Sequence, residues 1–455
     1  MSSNRPKAWS FSSLECIFNL FAMQIYDILC YLCFLMPNLH FIEAGEAVKA
    51  VRSGDHIHLS SIASVPQILV EALCRRTDVE DLHFHHFHTE GPAPYAAGGA
   101  FFDQGFFVGP NVRENVGEGL ADYIPVNLFE TQAMYRNGAL PCDVAMVQVS
   151  EPEDGMVSLG TSVDCSVAAL EVARERIGVV NPNVPFAGGN LIPVERFTAL
   201  VRDNRPLITK TYAEPSATDL EIGRHCAELI PDGACLQMGI GAMPNAICAC
   251  LGSHKHLGLH TEMFSDGALR LIRSGVIDGA AKAIDTGKVV ASFLLGSEDV
   301  YRFTDHNPAV LMKDIAYTND PRTIARNPGM VSINSAIEID LTGQVCADSI
   351  GTRIFSGTGG QLDFVRGAKY SKGGKAIIAM ASRTTKGAPK IVPVLRPGAG
   401  VVTPRADIQW VVTEWGAVNL YGKSLQERAR LLISVAHPSD REALEKAMFE
   451  RFHRL

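Results

Sequence analysis

At 455 residues the chain is long enough for two or three domains, not a minimal binding module. Hydrophobic residues at 47% and charged residues at 20% are globular values, and 40 glycines and 24 prolines spread along the chain exclude a disordered or collagen-like polymer. Lys and Arg number 41 against 49 Asp and Glu, a formal charge of -8 with no run of like charges, so nucleic acid is not an expected partner.

The first forty residues stand apart. Residues 14–36 are strongly apolar and follow Arg5 and Lys7, as in a signal peptide, but Glu15 and Asp27 interrupt the run and no small-residue cleavage site precedes Pro37. Residues 1–40 are therefore expected to be an N-terminal extension rather than an export signal or membrane anchor. Cys30 and Cys33 make a lone C-x-x-C without a second cysteine pair, and no chemistry is assigned to them. The eleven cysteines, odd in number and without framework spacing, read as reduced thiols of a cytoplasmic protein.

From residue 41 the text alternates between helical and extended patterns: residues 44–52 helical, 57–59 extended, 65–76 helical. Residues 55–73 align without a gap on residues 233–251, so that Pro66 falls on Pro244 and Leu73 on Leu251. His88-Thr89-Glu90 answers His260-Thr261-Glu262, and Ser158-Leu159-Gly160-Thr161 answers Ser349-Ile350-Gly351-Thr352, in the same order. Three ordered matches predict two similar open α/β domains, 41–205 and 206–455, with a border among the turn and helix-starting residues near 200–219. A cleft between them is the expected place for a site.

The second copy carries more signals of chemistry. Where the first reads Ser61-Ile62-Ala63, the second reads Gly239-Ile240-Gly241 and continues Ala242-Met243-Pro244. A glycine turn from an extended segment into a helix can aim backbone N–H groups at a phosphate-bearing ligand, or it can be an ordinary tight turn. It is not a dinucleotide fingerprint, because Pro244 replaces the third glycine; nor is Gly422-Lys423-Ser424 a phosphate loop, Gly416 lying one residue too far upstream. Residues 345–355 read as extended and lead into Gly357-Thr358-Gly359-Gly360, which can bring two N–H donors to one point as an oxyanion requires. Between the clusters, Glu262 and Asp266 end an apolar strand before a helix; Asp266 reads as a helix cap. His83, His85, His86 and His88 alternate on both faces of an expected strand with no evident carboxylate or cysteine partners, so no metal site is expected there.

GIGAMPNA, HTEMFSDG, SINSAIEIDLTGQV, SGTGGQLDFVRGA and the VTEWG segment near residue 414 together resemble the acetyl-CoA hydrolase/transferase family, which includes 4-hydroxybutyrate, butyrate, acetate and itaconate CoA-transferases. The likeness runs from about residue 41 to the C-terminus. It implies two α/β domains of the class I CoA-transferase type with the active site at their interface, a homodimer or homotetramer, no permanently bound cofactor, and coenzyme A or acyl-CoA and short-chain carboxylates as substrates. By the same resemblance Glu262 is the catalytic glutamate that becomes a glutamyl-CoA thioester, with Gly360 as oxyanion donor and Asn319 near the thioester. Gly239, Ile240, Gly241, Ala242 and Met243 are the CoA-binding loop, joined by Ile337, Gly359 and Lys386. Ile337 is also readable as strand core and Lys386 as a solvated charge. Glu90, in the first copy of the triplet, runs into Gly91-Pro92 and is expected to line the acyl pocket. A hydrolase on the same scaffold and a non-catalytic acyl-CoA sensor are the rival readings.

Overall fold

The computed structural model describes residues 40–453; the apolar run and the C-x-x-C lie outside them. Two sheets organise the rest. The first runs Ala199–Arg202, Glu175–Val180, Val144–Val149, His56–Leu59, Leu82–His85, Phe101–Gly105, Asp122–Tyr123, all neighbours parallel. Parallel strands need crossover connections that cover both sheet faces, so central strands are apolar throughout rather than alternating. Val144–Val149 (VAMVQV) is accordingly buried at every position.

The second sheet runs Gly416–Asn419, Trp410–Thr413, Lys375–Ala379, Met330–Asn334, Cys235–Met238, Gly258–His260, Val289–Ala291, Val310–Met312, Gly188–Gly189. Only its Trp410–Thr413 and Gly416–Asn419 pair is antiparallel. Each sheet has its own apolar core, one built around Ile57, Leu59, Phe84, Val144 and Ile177, the other around Met330, Ile339, Phe364, Ile378 and Val411. The fold is therefore a pair of open α/β layers, as expected.

The internal repeat is visible in three dimensions. His56–Leu59 leads to the helix Gln67–Cys74 and pairs with Leu82–His85; Cys235–Met238 leads to Ala242–Cys250 and pairs with Gly258–His260. Gly160 and Gly351, aligned by sequence, both adopt positive φ, 56° and 62°. Helix Ala217–Leu229 opens with a reciprocal cap between Ser216 and Asp219, the start that the sequence signals.

Two local expectations are corrected. Residues 345–355 are not one extended run but three short strands, Val345–Cys346, Ser349–Ile350 and Arg353–Ile354, because Gly351 turns the chain back on itself in an antiparallel hairpin. Gly188–Gly189, before the expected border, joins the second sheet beside Val310–Met312, so the first half lends the second an edge strand. Among the described residues no helix is long and apolar enough to cross a membrane.

Candidate active site

The strands of the second sheet deliver its polar residues to one edge, beyond their C-terminal ends, where open α/β sheets bind ligands. Glu262 follows Gly258–His260 at a break where the chain leaves one strand and enters Met263–Phe264. Its carbonyl accepts from the backbone N–H groups of Ser292 and Phe293, both at 3.0 Å, and Thr261 Oγ1 donates to the Met238 carbonyl at 3.1 Å. The backbone at the break is thus fixed from both neighbouring strands, which frees the side chain to project from the edge.

The residue as a whole is half-buried, but its carboxylate end is buried and is met by two groups. Asn319 Nδ2 donates to Glu262 Oε2 at 2.7 Å. The amide of Gly360, the residue before helix Gln361–Tyr370, points to the same carboxylate, and a Cβ at 360 would overlap both Glu262 Oε2 and Asn319 Nδ2. Asn319 ends the short helix Ile315–Thr318, is fully buried, and has its orientation set by Thr318 Oγ1, which donates to its Oδ1 at 3.2 Å. His260 Nε2 donates to the Thr318 carbonyl at 2.9 Å, and burial lowers the pKa of this imidazole to about 4, so it stays neutral.

Burial pushes the Glu262 carboxyl up to about 7, against the opposing pull of Asn319 and the Gly360 amide. A carboxylate kept this dry is a stronger nucleophile than one in water. The glycine turn lies beside it: Gly239 is exposed, Gly241 has φ 118°, and a Cβ at either would meet open space, so the backbone is accessible to a ligand. A small recess there is lined by Met238, Gly239, Asn245 and Met263. Larger surface cavities, such as one of about 360 Å³ lined by Asn183, Tyr301 and Arg302, lie apart from Glu262, and cavity size is no guide to this site.

The first half reaches the site through residues 106–129. The loop before Gly360 packs on Phe107, where a Cβ at Gly357 would come within 3.0 Å of the Phe107 Cα. Val108 N–H donates to Ser356 O at 3.3 Å, Tyr123 Oη accepts from Thr358 N–H at 2.8 Å, and Arg113 lies 3.8 Å over the Phe355 ring. Residues of both halves therefore hold the glycine loop against the carboxylate.

The family models for the acetyl-CoA hydrolase/transferase N-terminal domain and C-terminal domain match residues 38–209 and 296–448. A succinyl-CoA:acetate/propanoyl-CoA:succinate CoA transferase of Fasciola hepatica is 44% identical over 89% of this chain and 87% of its own. The chain belongs to the acetyl-CoA hydrolase/transferase family. A 4-hydroxybutyrate coenzyme A transferase of Clostridium kluyveri is 41% identical over 90% of this chain and 97% of that protein. The crystal structure of RipA from Yersinia pestis superposes with a TM-score of 0.84 at 34% identity, covering 90% of this chain and 97% of that one. The protein is a CoA-transferase of this family.

Of the residues that the sequence singles out, the structure brings Glu262, Asn319 and Gly360 into contact and sets the turn of Gly239, Ile240, Gly241, Ala242 and Met243 beyond the adjacent strand. Ile337 is half-buried in the loop between Met330–Asn334 and Glu338–Asp340, and Lys386 stands exposed in a tight turn closed by Gly387 N–H on Thr384 O; neither meets the Glu262 cluster by a hydrogen bond. Asp266 does not cap its own helix: its carboxylate accepts from Ser297 N–H at 3.0 Å and Ser297 Oγ at 2.5 Å, so it braces the start of the next helix, Glu298–Thr304.

Three of the four histidines in the run 83–88 have carboxylate neighbours after all, supplied by residues elsewhere in the first half. His86 Nε2 is 2.8 Å from Asp103, both fully buried, His83 is 3.2 Å from Asp81, and His88 is 3.3 Å from Glu90. Glu90 also pairs with Lys210 at 2.5 Å; burial alone would raise its pKa, but His88 and Lys210 outweigh it and bring the carboxyl down to about 2. One cluster with metal-ligand residue types exists among the described residues, His58, Asp164 and Cys165. Its donors are already engaged: Asp164 accepts from Ser61 N–H, Ser162 Oγ, Ser166 N–H and Ser166 Oγ, and His58 bonds Tyr135 and Ser166.

Sequence reasoning passed over Tyr123, Lys210 and Asp363. Asp363 was within reach, since it lies in the quoted SGTGGQLDF segment three residues after Gly360.

Proposed function

We propose that this CoA-transferase moves CoA between short-chain carboxylates of two to five carbons, such as 4-hydroxybutyrate, butyrate, acetate, succinate or itaconate, in a ping-pong reaction through a glutamyl-CoA thioester at Glu262. The observation that carries the reading is the buried Glu262 carboxylate, held by Asn319 and the Gly360 amide at the C-terminal edge of a parallel sheet.

In the first half-reaction a Glu262 oxygen attacks the acyl-CoA carbonyl, the C–S bond breaks, and CoA leaves as thiolate from a mixed anhydride. The thiolate attacks the glutamyl carbonyl, whose C–O bond to the acyl group breaks, releasing the first carboxylate. An incoming carboxylate then attacks the glutamyl-CoA thioester and expels thiolate again. Attack of that thiolate on the new acyl carbonyl yields the second acyl-CoA and returns Glu262 as carboxylate. No proton is gained or lost over the cycle. Gly360 N–H serves the oxyanion that each tetrahedral intermediate carries, and removing one such donor elsewhere costs about 10²–10³ in rate. Gly239, Ile240, Gly241, Ala242 and Met243 hold CoA, aided by Ile337, Gly359 and, at its phosphates, Lys386. Glu90 faces the acyl group from the first half.

This reading divides the chain at 205/206, places the catalytic glutamate in the second α/β domain, and takes the working form to be a cytoplasmic homodimer or homotetramer. The test is to supply an acyl-CoA with a panel of acids and measure acyl exchange against free thiol. Transfer to acids of two to five carbons supports it; thiol release at the same rate with and without acceptor would mean hydrolysis instead.

A further inference from the structure

The chemistry above leaves a second buried carboxylate unused. Asp363 is 2% exposed on the first turn of helix Gln361–Tyr370 and takes no part in an ion pair. Its Oδ2 lies 3.4 Å from Asn319 Nδ2, the nitrogen that also donates to Glu262. An amide nitrogen carries two hydrogens, and the ionised Glu262 carboxylate, which can only accept, fixes the end of the Asn319 side chain that faces it as nitrogen. One hydrogen thus goes to Glu262 and the other faces Asp363. The same Oδ2 accepts at 3.4 Å from Phe129 N–H, in the short helix Leu128–Glu130 of the first half. A single chain of contacts runs from Glu262 through Asn319 and Asp363 to the other half of the molecule.

The charged neighbours are all acidic. Glu262 and Glu130 act on Asp363 across this space, and its burial and the Glu262 charge push its own ionisation well above the usual carboxylate range. Two ionised carboxylates joined by one amide would repel each other, so the ionised Glu262 that attack requires is compatible with an uncharged Asp363.

We propose that Asp363 is a positioning residue: its carboxyl oxygen accepts the second N–H of Asn319, keeps the first aimed at Glu262, and ties both to the first half through Phe129. The role rests on Glu262 being the nucleophile. Asparagine preserves a neutral acceptor at the right reach, whereas alanine removes it and leaves Asn319 free to turn.

The experiment compares D363N and D363A with the unmodified enzyme, recording kcat, the KM for acyl-CoA, the rate of adduct formation on Glu262 and the melting temperature. The expectation is a D363N kcat within about threefold of the unmodified value, and a D363A kcat lower by about 10- to 100-fold with KM within about twofold and adduct formation slowed to match. Should D363A fail to fold, D363S, too short to reach Asn319, is read in its place. A D363A enzyme with unmodified kcat, a D363N enzyme as impaired as D363A, or a loss that falls on KM alone overturns the proposal. Absence of any adduct on Glu262 in the unmodified enzyme overturns the nucleophile reading itself, while an adduct forming equally fast in D363A overturns only the role of Asp363.

Discussion

A Cβ built on Gly360 would overlap the Oε2 of Glu262, so any larger residue at 360 must displace the carboxylate. The backbone there is ordinary, φ -90°, and would accept alanine without strain. G360A is therefore expected to fold with a near-normal melting temperature while losing about 10²-fold or more in kcat. Steady-state kinetics beside a thermal melt check this; a variant that loses stability but keeps its rate would contradict the placement.

The pH dependence follows from the Glu262 carboxyl being raised to about 7 by burial. Attack requires the anion, so kcat/KM should rise with pH and reach half its plateau near that value, rather than near the ordinary carboxylate range. A rate already flat from pH 5 upward would show that Glu262 is ionised earlier than its surroundings imply.

Stability should move the other way. The folded protein holds a proton on Glu262 that the unfolded chain releases near 4.5, so ν in the folded state exceeds ν in the unfolded state and stability falls as pH rises from the ordinary range to about 7. E262Q removes that penalty. Its unfolding free energy should exceed the unmodified value at pH 8 by about 1–2 kcal/mol, with a higher melting temperature, and match it near pH 4, as calorimetry at both pH values would show.

Glu90 shares the His-Thr-Glu triplet but is held ionised by Lys210 and His88. Lowered to about 2, it contributes stability above the unfolded carboxylate range that is lost as pH falls toward 2. E90Q should lose that contribution and change the preference among acyl acceptors, yet keep adduct formation on Glu262 within about tenfold. E262Q should lose transfer by about 10³-fold or more.

Tyr123 and Thr358 couple the two halves beside the glycine loop. Y123F removes the acceptor for Thr358 N–H and should cost about 1 kcal/mol, seen as a several-fold fall in kcat from a less firmly held loop.

The sequence carried the layered α/β design because parallel strands leave apolar runs, and the repeat betrayed two such layers through matches like Pro66 with Pro244. It placed Glu262, Gly360 and Asn319 in one site because the family motifs keep their order. It could not show the lent edge strand Gly188–Gly189, whose pairing joins segments more than 120 residues apart. The partners of His86 and Glu90 were hidden for the same reason, Asp103 and Lys210 being brought near only by the fold. Asp363 was in plain view, but its meaning depends on Asn319, 44 residues earlier, turning one amide toward two carboxylates.

The most direct test of the central claim is peptide mass spectrometry after incubation with an acyl-CoA and no acceptor. The account predicts a CoA thioester on the peptide that contains Glu262, absent from E262Q. An adduct on the Glu90 peptide, or transfer without any covalent enzyme species, would contradict it.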